Sequence, residues 1–134
     1  MSGCSVPVPD RATIFFCHGS RNPGWREPFE RLLEEFRQAN PRRAARLAFL
    51  ELMTPTLPQA LGELAAAGHD VIEIHPLFLA GGAHTGVDLP ALVAEATRDR
   101  PGLRVTVGAP LLESPRIRAA LVAALGEGAT AAGN

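Results

Sequence analysis

The chain has 134 residues, 46% of them hydrophobic, and a formal net charge of −1 from 13 basic and 14 acidic side chains. This length and composition predict one compact domain with a single core, and the balanced charge argues against general nucleic-acid binding. All 13 basic residues are arginine, which excludes a Walker phosphate loop, a Schiff-base enzyme and a pyridoxal-phosphate enzyme because each needs a lysine.

The chain shows neither the pattern of a membrane span nor that of a secretion signal. Its longest uncharged run, residues 74–87, is interrupted by two His, one Pro and three Gly, and residues 1–11 lack a basic segment followed by an apolar one. The two cysteines, Cys4 and Cys17, form neither a disulfide framework nor a C-x-x-C pair. We therefore expect a reduced, cytoplasmic protein that binds neither membranes nor nucleic acid.

The first half of the chain predicts two strands and two helices in alternation. A strand over 12–17 is followed by a polar stretch and a helix with apolar positions 29, 32, 33 and 36, which is the period of an amphipathic helix. A second strand is predicted over 46–52. Thr56 and Gln59 then form the pattern of a capping box that opens the second helix, and Gly68 suits its left-handed end.

The second half continues this alternation. A strand over 70–75 leads into a long uncharged connection that ends at Gly86, and a third helix follows with apolar positions 89, 92, 93 and 96. After a short strand over 103–107, Ser114 and Pro115 open a last helix with apolar positions 117, 121 and 125. We expect an N-terminal arm over 1–11, one α/β domain over 12–126 and a flexible tail over 127–134.

Strands that alternate with helices predict a parallel four-stranded sheet with helices on both faces. Right-handed crossovers favour the flavodoxin-like strand order 2-1-3-4. Ligands in such folds bind beyond the carboxyl ends of the strands, at the switch between the loops that follow strands 1 and 3.

Three side chains at that edge are suited to binding a metal ion. His18 follows strand 1, Glu51 closes strand 2, and His84 lies in the Gly-rich loop after strand 3. Because adjacent strands are about 4.8 Å apart, these residues should face one cleft. Two imidazoles and a carboxylate suit Zn, Co, Ni or Fe(II). Taken singly, His18 could cap a helix and His84 fill a loop, but three such residues at one edge favour a metal site.

The remaining histidines and Cys17 carry weaker signals. His69 is predicted at the opposite edge of the sheet, on the surface, whereas the role of His75, near the end of strand 3, stays open. Cys17 is predicted to be a buried apolar thiol.

Polar and aromatic residues in the loop after strand 1 are candidates for substrate binding. Arg21 could clamp carboxylates or phosphate, and Ser20 could donate to an anion at the helix N-terminus. Arg26 fits a clamp and a solvated helix end equally well. Trp25 either walls a pocket for a flat ligand or packs. Gly81 and Gly82 would let the third loop bend closely over a ligand.

Three segments together resemble the CbiX/SirB sirohydrochlorin chelatases. They are FFCHGSRNPGW after strand 1, LAFLELMTPTLPQAL through strand 2, and HPLFLAGGAHTGVDLPAL after strand 3, and the resemblance extends over residues 12–126. The metal-contacting positions of that family fall on His18, Glu51 and His84. The family's fold is the same flavodoxin-like array, here with a single copy of the domain.

The resemblance implies insertion of Co²⁺ or Fe²⁺ into sirohydrochlorin, on the routes to cobalamin or sirohaem. His18 and His84 would deliver the metal while Glu51 assists as base or third ligand. The ring would lie against Trp25 and Leu79, with Arg21 contacting its carboxylates. No tightly bound cofactor is expected, since the metal (Co²⁺, Fe²⁺ or Ni²⁺) is a substrate. The short, single-domain form of the family implies a homodimer.

Three other functions compete with this one. An α/β-hydrolase needs a Gly-x-Ser-x-Gly elbow, which is absent from the sequence. A histidine phosphatase needs Arg directly before His-Gly, where this chain has Cys17. A non-catalytic metal or tetrapyrrole carrier would use the same three ligands and stays the alternative; turnover would separate it from a chelatase.

Overall fold

The strands and helices expected from the apolar pattern are present in a computed structural model, which describes residues 11–81 and 88–129. The strands are β1 (Ala12–Cys17), β2 (Ala45–Phe49), β3 (Val71–Pro76) and β4 (Arg104–Val107). The helices are α1 (Glu27–Ala39), α2 (Leu57–Ala66), α3 (Leu89–Ala96) and α4 (Pro115–Gly126). Short 3₁₀ turns at Pro23–Arg26 and Leu111–Glu113 precede α1 and α4. None of the helices in the described ranges is long and apolar enough to cross a membrane.

The four strands form one parallel sheet in the order β2-β1-β3-β4. The predicted topology is therefore confirmed. All six residues of β1 are buried, as expected for a central strand covered on both faces. Because β1 lies between β2 and β3, the loops that leave these three strands meet at one edge.

Local capping signals begin and end the helices where the sequence predicts. The Thr56 hydroxyl accepts from the Gln59 backbone N–H while the Gln59 side chain accepts from the Thr56 N–H, which completes the capping box. At the start of α4, the Ser114 hydroxyl accepts from the Ile117 backbone N–H. Gly68 has a φ of +98° just after α2, the left-handed conformation that glycine adopts without a side-chain clash.

The sheet separates two hydrophobic cores rather than the single core predicted from the chain length, because helices cover both of its faces. On one face, α2 and α3 cover β1 and β3 around Phe16 and Ile74. On the other face, α1 packs on β1 and β2 around Phe15 and Phe49. Cys17 lies in this second core, and burial raises the pKa of its thiol to about 12. The prediction of a buried apolar thiol is confirmed.

Two expectations about element placement are wrong. Strand β2 ends at Phe49 rather than at residue 52, because its partner β1 ends at Cys17, the residue paired with Phe49. Helix α4 packs mainly against the Leu111–Glu113 turn and has no buried residue. Of its predicted apolar positions, Ile117 and Leu121 are half-buried, whereas Leu125 is 75% exposed.

Candidate active site

His18 and Glu51 meet at the carboxyl edge of the sheet. His18 directly follows β1 and Glu51 lies just beyond β2, and His18 Nδ1 is 3.2 Å from Glu51 Oε1. Their side chains are 46% and 43% exposed, so the pair can be reached by a ligand. The structure thus brings together two of the three side chains that the strand order predicts at this edge.

Close backbone packing holds the two loops together. The Leu50 N–H donates to the Cys17 carbonyl at 2.8 Å. A Cβ atom on Gly19 would stand only 1.7 Å from the Glu51 carbonyl oxygen, so only glycine permits this approach. The distance between His18 and Glu51 therefore depends on the absence of a side chain at position 19.

Two aromatic residues, Phe78 and Trp25, also contact His18. The Phe78 ring packs on the imidazole with centroids 4.5 Å apart and an interplanar angle of 36°. The Trp25 indole N–H donates to the His18 backbone carbonyl at 2.7 Å. Sequence reasoning missed Phe78, although it lies in the Pro-Leu-Phe part of a quoted motif, because apolar periodicity does not predict an aromatic partner for a loop histidine.

The third predicted ligand, His84, lies outside the described residues, as does Gly82. Within 11–81 and 88–129, no three His, Cys, Asp or Glu side chains come together as a group that could hold a metal ion. The described part of the site therefore supplies two donors, one nitrogen and one carboxylate.

The other predicted substrate-binding residues that the structure describes lie in the segments that follow β1 and β3. Ser20 accepts a hydrogen bond from the Asn22 N–H at 3.0 Å, and Arg21 is exposed. Leu79, directly after Phe78, is 62% exposed. Gly81 lies against Pro110, whose Cγ would be 2.8 Å from an added Cβ. Close approach to Pro110, and not a positive φ, accounts for this glycine.

Trp25 lies in the 3₁₀ turn and not in α1, and it packs on Phe29 with centroids 5.5 Å apart. Arg26 is a structural residue: its guanidinium lies 5.2 Å from the Phe49 ring centroid and donates to the Thr54 carbonyl at 3.1 Å. Arg26 also forms an ion pair with Glu30, 3.5 Å away on the first turn of α1, and both interpretations of Arg26, the clamp and the solvated helix end, stay predictions.

The other described histidines lie away from the pair. His75 is on the α1 side of the sheet, where its ring is 6.4 Å from that of Phe15 and its Nε2 is 3.5 Å from Glu73. His18, by contrast, packs on Phe78, which belongs to the core on the α2 side. His69 lies between α2 and β3, at the opposite edge, as predicted.

The family model CbiX matches residues 12–128. The chain belongs to the CbiX family. Among its relatives, the sirohydrochlorin cobaltochelatase of Methanopyrus kandleri is 34% identical over 82 residues, which are 61% of this chain and 57% of that protein. The chain thus spans less than two thirds of the length of this relative.

Solved structures of CbiX and SirB proteins share the fold. The CbiX protein of Marinobacter aquaeolei VT8 matches with a TM-score of 0.75 and 28% identity, over 87% of this chain and 95% of that chain. The sirohydrochlorin chelatase SirB of Bacillus subtilis subspecies spizizenii, in complex with cobalt, matches with a TM-score of 0.68 and 27% identity. That match covers 76% of this chain and 44% of SirB. A single CbiX domain therefore corresponds to about half of the SirB chain.

Proposed function

We propose that this CbiX domain is a sirohydrochlorin chelatase that inserts Co²⁺ or Fe²⁺ into the tetrapyrrole. The observation that carries the proposal is the exposed His18–Glu51 pair, at the edge of the sheet where this fold binds ligands. The relative from Methanopyrus kandleri is a cobaltochelatase and the SirB structure holds cobalt, which supports Co²⁺ as the first metal to test.

The pair has the chemistry that metal insertion requires. Insertion releases two pyrrole N–H protons as the divalent ion exchanges its water ligands for four ring nitrogens. With its proton on Nδ1, His18 donates to Glu51 and keeps Nε2 as a metal donor, an arrangement common among metal-binding histidines. We assign metal delivery to His18 and His84, with Glu51 as the third ligand or as the base that takes a pyrrole proton.

The surrounding residues would hold the macrocycle. Trp25 and Leu79 present exposed apolar surface next to the pair, which suits a flat ring. Arg21 is assigned to the peripheral carboxylates, which guanidinium groups bind in bidentate geometry. Ser20 and the loop at Gly81 and Gly82 would line the same cleft.

Anaerobic absorbance spectroscopy of sirohydrochlorin with Co²⁺ and catalytic amounts of protein tests the proposal. We expect multiple turnovers that His18→Ala and His84→Ala abolish and that Glu51→Gln, which cannot take a proton, greatly slows. His69→Ala, a histidine at the opposite edge, is the matched control and should retain activity. Tight stoichiometric binding of metal or ring without turnover would instead support the carrier.

We further propose a homodimer, for which the surface of α4 is the supporting observation. Val122 and Leu125 are 72% and 75% exposed, although a helix in this position of a doubly wound sheet normally buries an apolar stripe. Arg104 and Thr106 of β4 are also exposed. A second copy of the chain could cover both surfaces, since a two-fold interface uses the same patches twice.

Light scattering after size-exclusion chromatography tests this proposal. The wild-type chain should have the mass of a dimer, and Val122→Asp with Leu125→Asp should produce monomers. Leu32→Asp, on α1, is the control for adding charge at an exposed leucine. A wild-type chain that is fully active as a monodisperse monomer would contradict the proposal.

We also propose that the chelatase acts in the cytoplasm as one domain over 12–126.

A further inference from the structure

Leu52 combines two features that each cost free energy. Its φ is +68°, a conformation that L side chains other than those of Asn and Asp rarely adopt. Its side chain is also 60% exposed, so a large apolar group lies in water. A glycine at this position would remove both costs.

The backbone at Leu52 is a γ-turn of the strained form. The Met53 N–H donates to the Glu51 carbonyl at 2.8 Å across a central residue with positive φ, which is the rare kind of γ-turn. Strained backbone persists only where the surrounding structure imposes it, and it is concentrated at functional sites.

Contacts on both sides impose this turn. Gly19, next to His18, packs directly on the Glu51 carbonyl and within reach of the Met53 nitrogen. The Phe49 N–H donates to the Pro55 carbonyl at 2.8 Å, and this hydrogen bond closes the loop that contains Leu52. The turn geometry therefore comes from its neighbours, and it requires no leucine side chain to form.

Leu52, Trp25 and Leu79 are exposed apolar residues, and each contacts His18 or directly follows a residue that does. Leu52 follows Glu51, whose carboxylate faces the imidazole. Trp25 donates to the His18 carbonyl, and Leu79 follows Phe78, which packs on the His18 ring. Exposed apolar residues are thus adjacent, in the chain or by contact, to the residues that form the polar pair and pack on it, and a mixture of apolar and polar groups is typical of a small-molecule site.

We propose that the Leu52 side chain packs against the flat face of the tetrapyrrole and contributes to its binding at the His18–Glu51 edge. The inference rests on the proposed function, because it needs a planar, largely apolar ring as ligand. A contact between its isobutyl group and that ring accounts for a leucine at this strained position, while Arg21 serves the carboxylated periphery.

The sole tryptophan, Trp25, provides a direct readout of ring binding. Quenching of its fluorescence by sirohydrochlorin, with no metal present, gives a Kd that does not depend on turnover. We expect Leu52→Gly and Leu52→Asn to weaken ring binding about tenfold, with a similar rise in KM for sirohydrochlorin. The kcat for cobalt insertion and the Kd for Co²⁺ alone should change less than about twofold.

Stability separates this role from a structural one. Because Gly and Asn tolerate positive φ, both variants should unfold at the wild-type temperature or above it, while ring binding becomes weaker. Leu52→Met keeps an apolar side chain and should restore most of the affinity. Leu32→Asn, at another exposed leucine, is the control and should leave ring binding unchanged.

Several results would overturn the inference. Equal ring affinity in the wild type and in Leu52→Gly would overturn the role of Leu52. If the wild type then still inserts cobalt with multiple turnovers, the proposed chelatase function would stand. A wild-type chain that does not bind the ring would overturn both. Loss of the dimer in Leu52→Gly with unchanged ring affinity would assign Leu52 to a contact between copies and thereby remove it from the site.

Discussion

Gly19→Ala tests whether the close approach of two loops creates the site. The added Cβ would stand 1.7 Å from the Glu51 carbonyl oxygen and 2.9 Å from its carbonyl carbon. Since carbon and oxygen in contact are about 3.3 Å apart, the loops must separate by about 1.6 Å. Both obstructing atoms belong to the backbone, so no side-chain rotation can relieve the overlap.

This displacement should affect stability and activity together. Overpacking of this kind lowers the free energy of unfolding by about 1–3 kcal/mol. We expect a loss of about 3 kcal/mol for Gly19→Ala because the backbone must move. A misplacement of about 1 Å at a reacting group lowers rates on the order of 100-fold, so the 3.2 Å contact between His18 and Glu51 and cobalt insertion should both be lost.

Urea unfolding and the initial rate of Co²⁺ insertion are the two assays for Gly19→Ala. Gly102→Ala is the matched control, because a Cβ atom there meets nothing within 4 Å. The control should stay within about 0.5 kcal/mol of wild-type stability and keep full activity. Wild-type values of both quantities in Gly19→Ala would refute the reasoning.

Three further predictions follow from individual contacts. Burial raises the pKa of Cys17 from 9.0 to about 12. The free energy of unfolding should therefore keep its full value below pH 9 and fall by up to about 1.4 kcal/mol per pH unit between pH 9 and pH 12, because the unfolded chain loses the thiol proton first. The chain has no Lys or Tyr to mask this titration, and Cys17→Ala should flatten the urea-midpoint profile whereas Cys4→Ser should not. Arg26→Lys should lose about 1 kcal/mol in urea unfolding, since an ammonium cannot stack on Phe49 as the guanidinium does; equal stability would show that charge alone suffices. Thr56→Ala should cost about 1 kcal/mol in thermal or urea unfolding by removing the cap of α2, and an unchanged midpoint would argue against the capping box.

The local rules of the sequence predicted most of the fold. Thr56, Ser114 and Gly68 mark helix ends through hydrogen bonds or dihedral angles that involve only nearby residues. The strand order then followed from the alternation of elements and the handedness of crossovers. The meeting of His18 with Glu51 was predictable for the same reason, since both follow neighbouring parallel strands.

Features that depend on distances between loops were not predictable. Phe78 on the His18 ring, the strained turn at Leu52 and the packing of Gly81 on Pro110 each involve segments far apart in the chain. Arg26 shows the same limit, because its contacts with Phe49 and Thr54 involve segments that its position in the sequence does not indicate.

The amino-acid sequence was enough to predict the alternation of strands and helices, their caps and the edge at which His18 and Glu51 lie, because periodicity, capping and strand order are local or topological properties. Three features became visible only in the folded chain: Gly19 packs on the Glu51 carbonyl, Leu52 is held in a γ-turn, and α4 leaves Leu125 exposed. These features arise from close packing between distant segments, where a difference of about 1 Å changes which contacts are possible.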